Sequence, residues 1–491
     1  MMHSESPASH LSRPAAIGLA AGALVFVATL VLPPPADLPL AGWRTLGLAL
    51  MMAIWWSTEP VPMGATALLP PILMPLLGIA DIAAATAPYA NPLVFLFLGG
   101  FLLAAGVKSW GLHRRLAFWA VQAIGTEPKR LVLGFMVASG FLSMWISNTA
   151  AVVLMLPVAV SIIAMAEDGT DDPQAIRRFA LALLLGLAYA ASIGGVGTLI
   201  GTPPNALLAG YLLDSHGIDL SFAAWAAVGI PLVVVFLPVG WLVLTRLVFP
   251  VGSELTAAFS NRETLQQLTR AAPMTPAEKR VGAVFVIAAT LWITRPLLNN
   301  IPGLEGLSDP GIGLACAFAL FLIPSGMAND RRFLMNWDEA KGIPWQVLLL
   351  FGGGLSLAAA MDRSGLALWI GEALAAAGAM PPLLFLMLVA ATVLLLTELA
   401  SNTAVVAALL PIVATIAAGA DMDIVTVSAA VAMAASCAFM LPVATPPNAL
   451  VFASGHVRVA DMVRAGIVMN LASVLLVSFA ALMLAPLLPS P

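Results

Sequence analysis

The chain has 491 residues, of which 61% are hydrophobic and only 9% are charged. Soluble globular chains carry roughly 25% charged residues, so this composition excludes an ordinary soluble domain and predicts a polytopic membrane protein. The net charge of −4 gives no indication of a nucleic-acid partner. The two cysteines, Cys316 and Cys437, lack the spacing of a disulfide framework or a metal site and are predicted to be core residues.

Apolar segments follow one another along the whole chain, and each is a candidate membrane-spanning element. The first, 15–33, is not followed by a cleavage pattern, so it is predicted to remain in the protein. The segments lie at 15–33, 43–57, 61–78, 93–107, 131–165, 179–213, 221–248, 281–298, 310–325, 344–361, 381–417, 424–455 and 462–488.

Basic residues between the segments predict how the chain crosses the membrane. If the N-terminus is cytoplasmic and segments 131–165 and 381–417 are hairpins that return to their starting side, every Lys and Arg except Arg44, Arg295 and Arg363 falls on one face. Such a bias is typical of cytoplasmic loops. It predicts an all-α protein of the inner cell membrane with about eleven transmembrane helices, two re-entrant hairpins, a cytoplasmic N-terminus and an external C-terminus.

One polar triplet, Ser-Asn-Thr, occurs twice inside apolar segments. ISNTAAVVLMLP begins at residue 146 and ASNTAVVAALLP at residue 400, and Ser147 and Ser401 are 254 residues apart, as are Pro157 and Pro411. An odd number of predicted crossings separates the starts of the two copies, so the second copy is predicted to be inverted, as in many secondary transporters. The triplets would then face each other at the tips of two opposed hairpins.

A second motif follows each hairpin: GTPPNALLAG begins at residue 201 and ATPPNALVFASG at residue 444. Because proline lacks an N–H and restricts the preceding residue, each helix must break there and restart with Thr202 or Thr445 as its N-cap. Free backbone at mid-membrane depth is tolerated only where it lines a cavity or is buried in protein. Both breaks are therefore predicted to face the same inner site as the triplets.

The chemistry of these motifs favours an anion bound together with sodium. Helix N-termini attract carboxylate or sulfate oxygens, and the hydroxyl and amide side chains add hydrogen bonds without charge. The sequence near the four motifs contains no Lys or Arg, so a buried divalent anion would be under-neutralised. Carbonyl, hydroxyl and amide oxygens are suitable ligands for Na⁺, which would supply the missing positive charge.

Paired Ser-Asn-Thr hairpins, each followed by a Thr-Pro-Pro-Asn break, resemble the divalent anion/sodium symporter family, the carriers of dicarboxylates, citrate and sulfate. The resemblance covers the chain from about residue 15 to residue 488. It implies a homodimer in the lipid bilayer and an elevator motion of a transport domain against a dimerising scaffold. It also implies sodium-coupled symport of a divalent anion, with a C4-dicarboxylate such as succinate, malate or fumarate as the expected substrate, and no enzymatic activity.

The crossings and the repeats together predict how the chain is divided. Two repeats would carry the binding site, and the remaining helices would form the scaffold. The division is 1–92 as N-terminal scaffold helices, 93–248 as the first repeat with hairpin 131–165 and broken helix 179–213, 249–280 as a cytoplasmic loop, 281–343 as scaffold helices, and 344–491 as the second repeat with hairpin 381–417 and broken helix 424–455.

The resemblance also implies site residues, transferred to the matching positions of this sequence, with at least two Na⁺ sites. The first sodium site would use Ser147, Asn148, the Ser143 carbonyl and the Gly201 backbone. The second would use Asn402, Thr397 and the backbones of Ala400 and Ala444. Substrate contacts would come from Ser147, Asn148, Thr149, Thr202, Ser401, Asn402, Thr403 and Thr445.

Several alternatives remain open at this point. Sulfate or another anion would also fit a hydroxyl-rich site, and related exchangers resemble the same plan but place basic groups where sodium would sit. A Na⁺/H⁺ antiporter would need a titratable group, and Glu398 is the one acid beside a triplet; its other interpretation is an internal acceptor that braces the hairpin. An intramembrane hydrolase using Ser147 or Ser401 would lack an accompanying His or Lys base.

Overall fold

The structure, a computed structural model, describes residues 13–113, 115, 127–170, 172–252, 255–256, 273–327, 332–375, 380–419 and 422–489. Within these ranges the regular structure is helical, apart from one isolated β-bridge between Pro324 and Phe333. Most of the predicted loop 249–280 lies outside the described residues. Its end is helical, because Thr275 and Glu278 form a capping box that starts a helix at Pro276.

The N-terminal part contains three long helices and several short ones. They are α1 (Arg13–Val31), α2 (Leu40–Thr58), α3 (Met63–Thr66), α4 (Leu69–Leu77), α5 (Ile82–Thr86), the 3₁₀ turn Ala87–Ala90, and α6 (Pro92–Ser109). The predicted single crossing at 61–78 is divided into α3 and α4. The division lies just before Pro70, because proline lacks the N–H that a continuous helix would need.

The first hairpin and the first broken helix follow. They are α7 (Pro128–Ser143), α8 (Asn148–Gly169), α9 (Pro173–Gly195) and α10 (Pro203–His216), and after them comes α11 (Phe222–Leu242), which continues as the π-helix Val243–Val248. Helix α7 has 16 residues, fewer than the roughly 20 that a crossing requires. Its length therefore suits one arm of a re-entrant hairpin.

The remaining helices end with the second hairpin and the second broken helix. They are α12 (Pro276–Leu298), α13 (Asp309–Leu322), α14 (Trp337–Lys341), α15 (Trp345–Arg363), α16 (Leu366–Ala375), α17 (Pro382–Thr397), α18 (Asn402–Gly419), α19 (Ile424–Ala435), α20 (Pro446–Ala453) and α21 (Val459–Leu484). Helix α17 also has 16 residues, so the two hairpins have first arms of equal length.

The core is centred on the two helical halves that precede the Pro-Pro breaks. Every residue of α9 from Phe179 and of α19 from Val425 is buried. Helix α9 packs against α7, α8 and α20, and α19 packs against α17, α18 and α10. The approach of α7 to α9 requires glycine, since a Cβ on Gly194 would lie 2.1 Å from the carbonyl oxygen of Gly140. Each broken helix thus packs its buried half against the second half of the other.

The described part of the chain has seven helices that are long and apolar enough to cross a membrane, together with shorter apolar helices that include both arms of the second hairpin. Its surface carries many exposed large apolar side chains, such as Val31, Leu76 and Leu471. A surface this apolar is suited to lipid rather than to water. The protein is an integral multi-pass membrane protein.

We expect the two hairpins to enter the membrane from opposite sides. Cysteines at Arg130 and Gln174, which are exposed at the ends of the first hairpin, should react with an impermeant maleimide only from the cytoplasm. A cysteine at Met380, before the second hairpin, should react only from outside. The parent chain, whose two cysteines are buried, gives the background. Labelling of all three positions from the same side would contradict the inverted arrangement.

Candidate functional site

The two Ser-Asn-Thr triplets lie at the tips of the hairpins, where they begin α8 and α18. The Ser143 hydroxyl donates to Asn148 Oδ1 at 2.5 Å, and the Thr397 hydroxyl donates to Asn402 Oδ1 at the same distance. Ser147 is the N-cap of α8. The same hydroxyl-to-amide hydrogen bond thus fixes the asparagine side chain in both hairpins.

Each Pro-Pro break is closed by the asparagine of its motif. Asn205 Nδ2 donates to three carbonyl oxygens of the first break at 2.8 to 3.3 Å, and Asn448 Nδ2 donates to two of the second at 3.1 and 3.2 Å. Both asparagines are fully buried. They were not among the predicted site residues, although their presence in both motif copies was a signal. Their amides satisfy carbonyl groups that the broken helices leave without partners.

A single cavity of about 910 Å³ brings both tips and both breaks together. Its lining includes all eight predicted substrate-contact residues, Ser147, Asn148, Thr149, Thr202, Ser401, Asn402, Thr403 and Thr445. It also includes Gly201, Ala400 and Ala444 from the predicted sodium sites. The other two, Ser143 and Thr397, are fully buried behind the tips. The cavity volume is within the range of small-molecule sites.

The first predicted sodium site is a compact cluster of oxygen atoms. A Cβ on Gly195 would lie 2.8 Å from Asn148 Oδ1 and 3.2 Å from the Gly201 carbonyl oxygen. A Cβ on Gly201 would lie 3.0 Å from the Ser143 carbonyl oxygen and 2.4 Å from that of Gly195. A side chain at either glycine would fill the space that these oxygens surround. The Gly195 carbonyl is an additional member of the cluster that the family pattern did not supply.

The second predicted sodium site has the same hydroxyl-to-asparagine contact as the first but differs in its backbone residues. Thr397 Oγ1 lies 2.5 Å from Asn402 Oδ1 and 3.0 Å from the Ala435 carbonyl oxygen, so its single proton has two acceptors within hydrogen-bonding distance. Alanine, at 444, occupies the position that Gly201 has in the first motif. Across the described ranges, no cluster of His, Cys, Asp and Glu suits a metal ion. Both predicted sites therefore offer neutral oxygen ligands, which suit a hard cation such as Na⁺.

Glu398 braces the second hairpin against the second break. Its carboxylate accepts hydrogen bonds from the backbone N–H groups of Phe439, Met440 and Leu441 at 2.8 to 3.1 Å. It also accepts one from Asn470 Nδ2 of α21 at 2.8 Å. Glu398 does not line the cavity. The interpretation of Glu398 as an internal hydrogen-bond acceptor is therefore confirmed.

One basic residue lines a cavity beside the first triplet, although the sequence around the four motifs contains no Lys or Arg. Lys108, at the end of α6, lines a neighbouring cavity of about 680 Å³ together with Ser147 and Thr149. Because Lys108 lies far from the triplet in the sequence, no local pattern indicated that they line the same cavity. The main cavity is lined by one acidic residue, Glu59, and by no basic residue among those described. An anion in the main cavity would still lack a fixed positive charge.

We expect Glu398→Ala to destabilise the protein strongly. The substitution leaves buried N–H donors without an acceptor, at a cost of about 1–3 kcal/mol for each unsatisfied group. The thermal unfolding temperature in detergent should fall by several degrees or more. Asp338→Ala, which removes an exposed carboxylate paired with Lys341, is the control and should leave it nearly unchanged. Equal unfolding temperatures for the two variants would contradict the bracing role.

The fold is shared with solved membrane transporters. The YdaH transporter of Alcanivorax borkumensis superimposes with a TM-score of 0.59 at 15% identity, covering 97% of this chain and 100% of that one. MtrF of Neisseria gonorrhoeae, described as illuminating a class of antimetabolite efflux pumps, superimposes with a TM-score of 0.57 at 14% identity, covering 97% and 95%. At these identities the similarity shows the fold alone.

Sequence relatives define the family. Residues 15–489 match the transmembrane region of the sodium:sulfate symporters. The chain is 42% identical over 472 residues to the sodium-dependent dicarboxylate transporter SdcS of Staphylococcus aureus, covering 94% of this chain and 89% of that protein. These matches confirm the family resemblance carried by the paired triplets and breaks. The chain belongs to the sodium:sulfate symporter family of membrane transporters, and it is not an enzyme.

Proposed function

We propose that the protein is a secondary active transporter that carries a C4-dicarboxylate, such as succinate, malate or fumarate, into the cell together with Na⁺. The principal support is the single cavity that both tips and both breaks line. The dicarboxylate specificity in the name of SdcS, together with the extent of its identity to this chain, supports the same substrate class.

The cavity is suited to an anion with two carboxylates. Helices α8, α10, α18 and α20 all begin at residues in or beside the cavity lining, so the positive ends of four helix dipoles lie near it. The hydroxyls of Thr149 and Thr403 lie on opposite hairpins and are the proposed donors to the two carboxylates. Sulfate could use the same donors, but the cavity volume of about 910 Å³ also accommodates the larger dicarboxylate.

Sodium would complete the charge balance of this site. The oxygen cluster around Gly195 and Gly201 provides the first proposed position, and Thr397, Asn402, Ala400 and Ala444 provide the second. Two bound Na⁺ would neutralise a dianion and remove most of the cost of placing it in a low-dielectric interior. Asn148 and Asn402 would each contact sodium and substrate, which would couple the two binding events.

The alternatives are less well supported. Exchange would be favoured by a basic group in the sodium positions, but Lys108 lines the neighbouring cavity rather than the main one. Na⁺/H⁺ antiport would use Glu398 as a proton carrier, but four N–H donors already occupy its carboxylate, away from the cavity. Symport therefore remains the function that the geometry supports best.

We further propose that two bodies move relative to each other in an elevator cycle. The transport body comprises α7–α11 and α17–α21, which contain the hairpins and broken helices. The frame comprises α1–α6 and α12–α16 and would form the homodimer; it thus includes α6, α15 and α16, which lie within the two predicted repeats. With the orientation predicted from the basic residues, Glu59, Lys108 and Gln346 mark the cytoplasmic end of the cavities, so the structure would represent an inward-open state.

Uptake of radiolabelled succinate into proteoliposomes should require a sodium gradient. Because the described lining of the main cavity has no fixed positive charge, replacing Na⁺ by K⁺ or choline should abolish uptake. Transport should be electrogenic if more than two Na⁺ accompany each dianion. Sodium-independent uptake at the full rate would instead support exchange.

Asn148→Ala and Asn402→Ala should each weaken succinate binding and raise the sodium requirement together. Each removes a proposed cation ligand and an anion donor, with losses of about 1–3 kcal/mol per unsatisfied buried partner. By linkage, the mutual enhancement between Na⁺ and substrate should decrease equally in both directions. Thr149→Ala is the comparison, and it should weaken substrate while leaving Na⁺ binding in the absence of substrate unchanged. Intact coupling in Asn402→Ala, measured by equilibrium binding, would show that the triplet has only a structural role.

A further inference from the structure

The polar side-chain contacts that join the transport body to the frame are concentrated on one short segment. Among the described residues, every hydrogen bond or ion pair between the two bodies that involves a side chain uses a residue of the segment 214–222, which connects α10 to α11. We call the polar contacts of this segment the outer clasp.

The outer clasp contains four contacts, one of which is a hydrogen bond from the Ser215 hydroxyl to the Asp362 carboxylate of the frame. Asn91 Nδ2 of the frame donates to Asp214 Oδ1 at 2.7 Å. The Phe222 N–H, at the start of α11, donates to Asp309 Oδ2 of the frame, also at 2.7 Å. Arg295, which forms an ion pair with Asp309 at 2.7 Å, lies 3.6 Å from Asp219. The segment is thus held by four polar residues of the frame.

The outer clasp and the cavity lie at opposite ends of the same helices. Helix α6 begins next to Asn91 and ends next to Lys108, and α10 begins at the cavity with Pro203 and ends in the clasp segment. With 14 residues, α10 is about 21 Å long. Gln346, near the start of α15, lines the cavity. Asp362, near the end of the same helix, lies close to His216 of the clasp segment. The clasp is therefore on the side away from the cavity entrance.

Between the two ends, glycines of α10 and α15 form close contacts between the two bodies. A Cβ on Gly210 of α10 would lie 3.1 Å from Leu355 of α15, and a Cβ on Gly354 of α15 would lie 3.0 Å from Ala407 of α18. Small residues at these contacts allow the helices to approach closely, and neither contact includes a polar side chain. Among the described residues, the side-chain hydrogen bonds and ion pairs between the two bodies are thus concentrated at the outer clasp.

From this arrangement we infer that the outer clasp holds the transporter in the state whose cavity opens on the Lys108 side, and that it must open in each transport cycle. The inference rests on the proposed two-body motion. To expose the cavity on the opposite side, the transport body must move along α6 and α15. That movement separates groups that are now 2.7 Å apart. Because Asp214 and Asp219 are exposed, water can replace their partners when the clasp opens.

A disulfide across the outer clasp tests the requirement for opening. Oxidised Asn91→Cys/Asp214→Cys should lose succinate uptake, recover it on reduction, and keep Na⁺-dependent succinate binding in detergent. The two single-cysteine variants under the same oxidant are the controls. Normal uptake by the fully cross-linked protein would overturn the inference. Absence of Na⁺-dependent uptake in the unmodified chain would instead refute the proposed function, so the two failures are distinguishable.

A second measurement does not depend on forming the disulfide. Val443 lines the cavity and is 80% exposed, so Val443→Cys reports which side the cavity faces. We would combine Val443→Cys with the double variant Asp214→Ala/Asp219→Ala and label the cysteine with an impermeant maleimide from outside. The labelling should increase roughly tenfold. A hydrogen bond to a charged group contributes a free energy that corresponds to about a tenfold change in an equilibrium constant, or more. Labelling from the cytoplasm should decrease. Asp338→Ala is the control for removal of an acidic residue. Unchanged sidedness in the double variant would overturn the inference.

Discussion

The cost of placing charge in a low-dielectric interior constrains the rest of this structure. An isolated ion of carboxylate size has an idealised transfer cost of order 20 kcal/mol, and a dianion costs more. The described lining of the main cavity has no basic residue to offset it. The compensation available to the chain is the backbone itself, whose free N–H and carbonyl groups at helix ends can bind an anion and a cation side by side.

Free backbone groups at this depth have to be created and then restrained. The Pro-Pro sequences create them, because a helix cannot continue through two prolines. Asn205, Asn448 and Glu398 restrain them by binding carbonyl and N–H groups of the two breaks. The polar residues behind the site therefore determine which backbone groups stay available to a ligand. Glu398 binds backbone groups rather than a ligand, which explains why it can be buried beside the site without lining the cavity.

The sequence was sufficient to predict the helical class, the two hairpin tips and the two breaks, because each carries a local signal that occurs twice. Long-range proximity was not predictable: Lys108 and Glu59 line cavities with residues far away in the chain. The hydrogen-bond partners of Glu398 lie on segments that no local sequence pattern connects to it. The division between α3 and α4 depends on the effect of Pro70 within an apolar segment. Local patterns specify elements, whereas the contacts between elements depend on the packing of the whole chain.

The same helices provide both access to the cavity and the restraint on its movement. Because α10 begins at the cavity and ends in the outer clasp, a change in the position of its N-terminus is transmitted along a rigid rod of about 21 Å. The proposed substrate and sodium positions lie where α10 starts, and the outer clasp lies where it ends. Ligand binding can bias the position of the transport body only by binding its two positions with different affinity. The helix that bears Thr202 is therefore the most direct physical connection between occupancy of the site and release of the clasp.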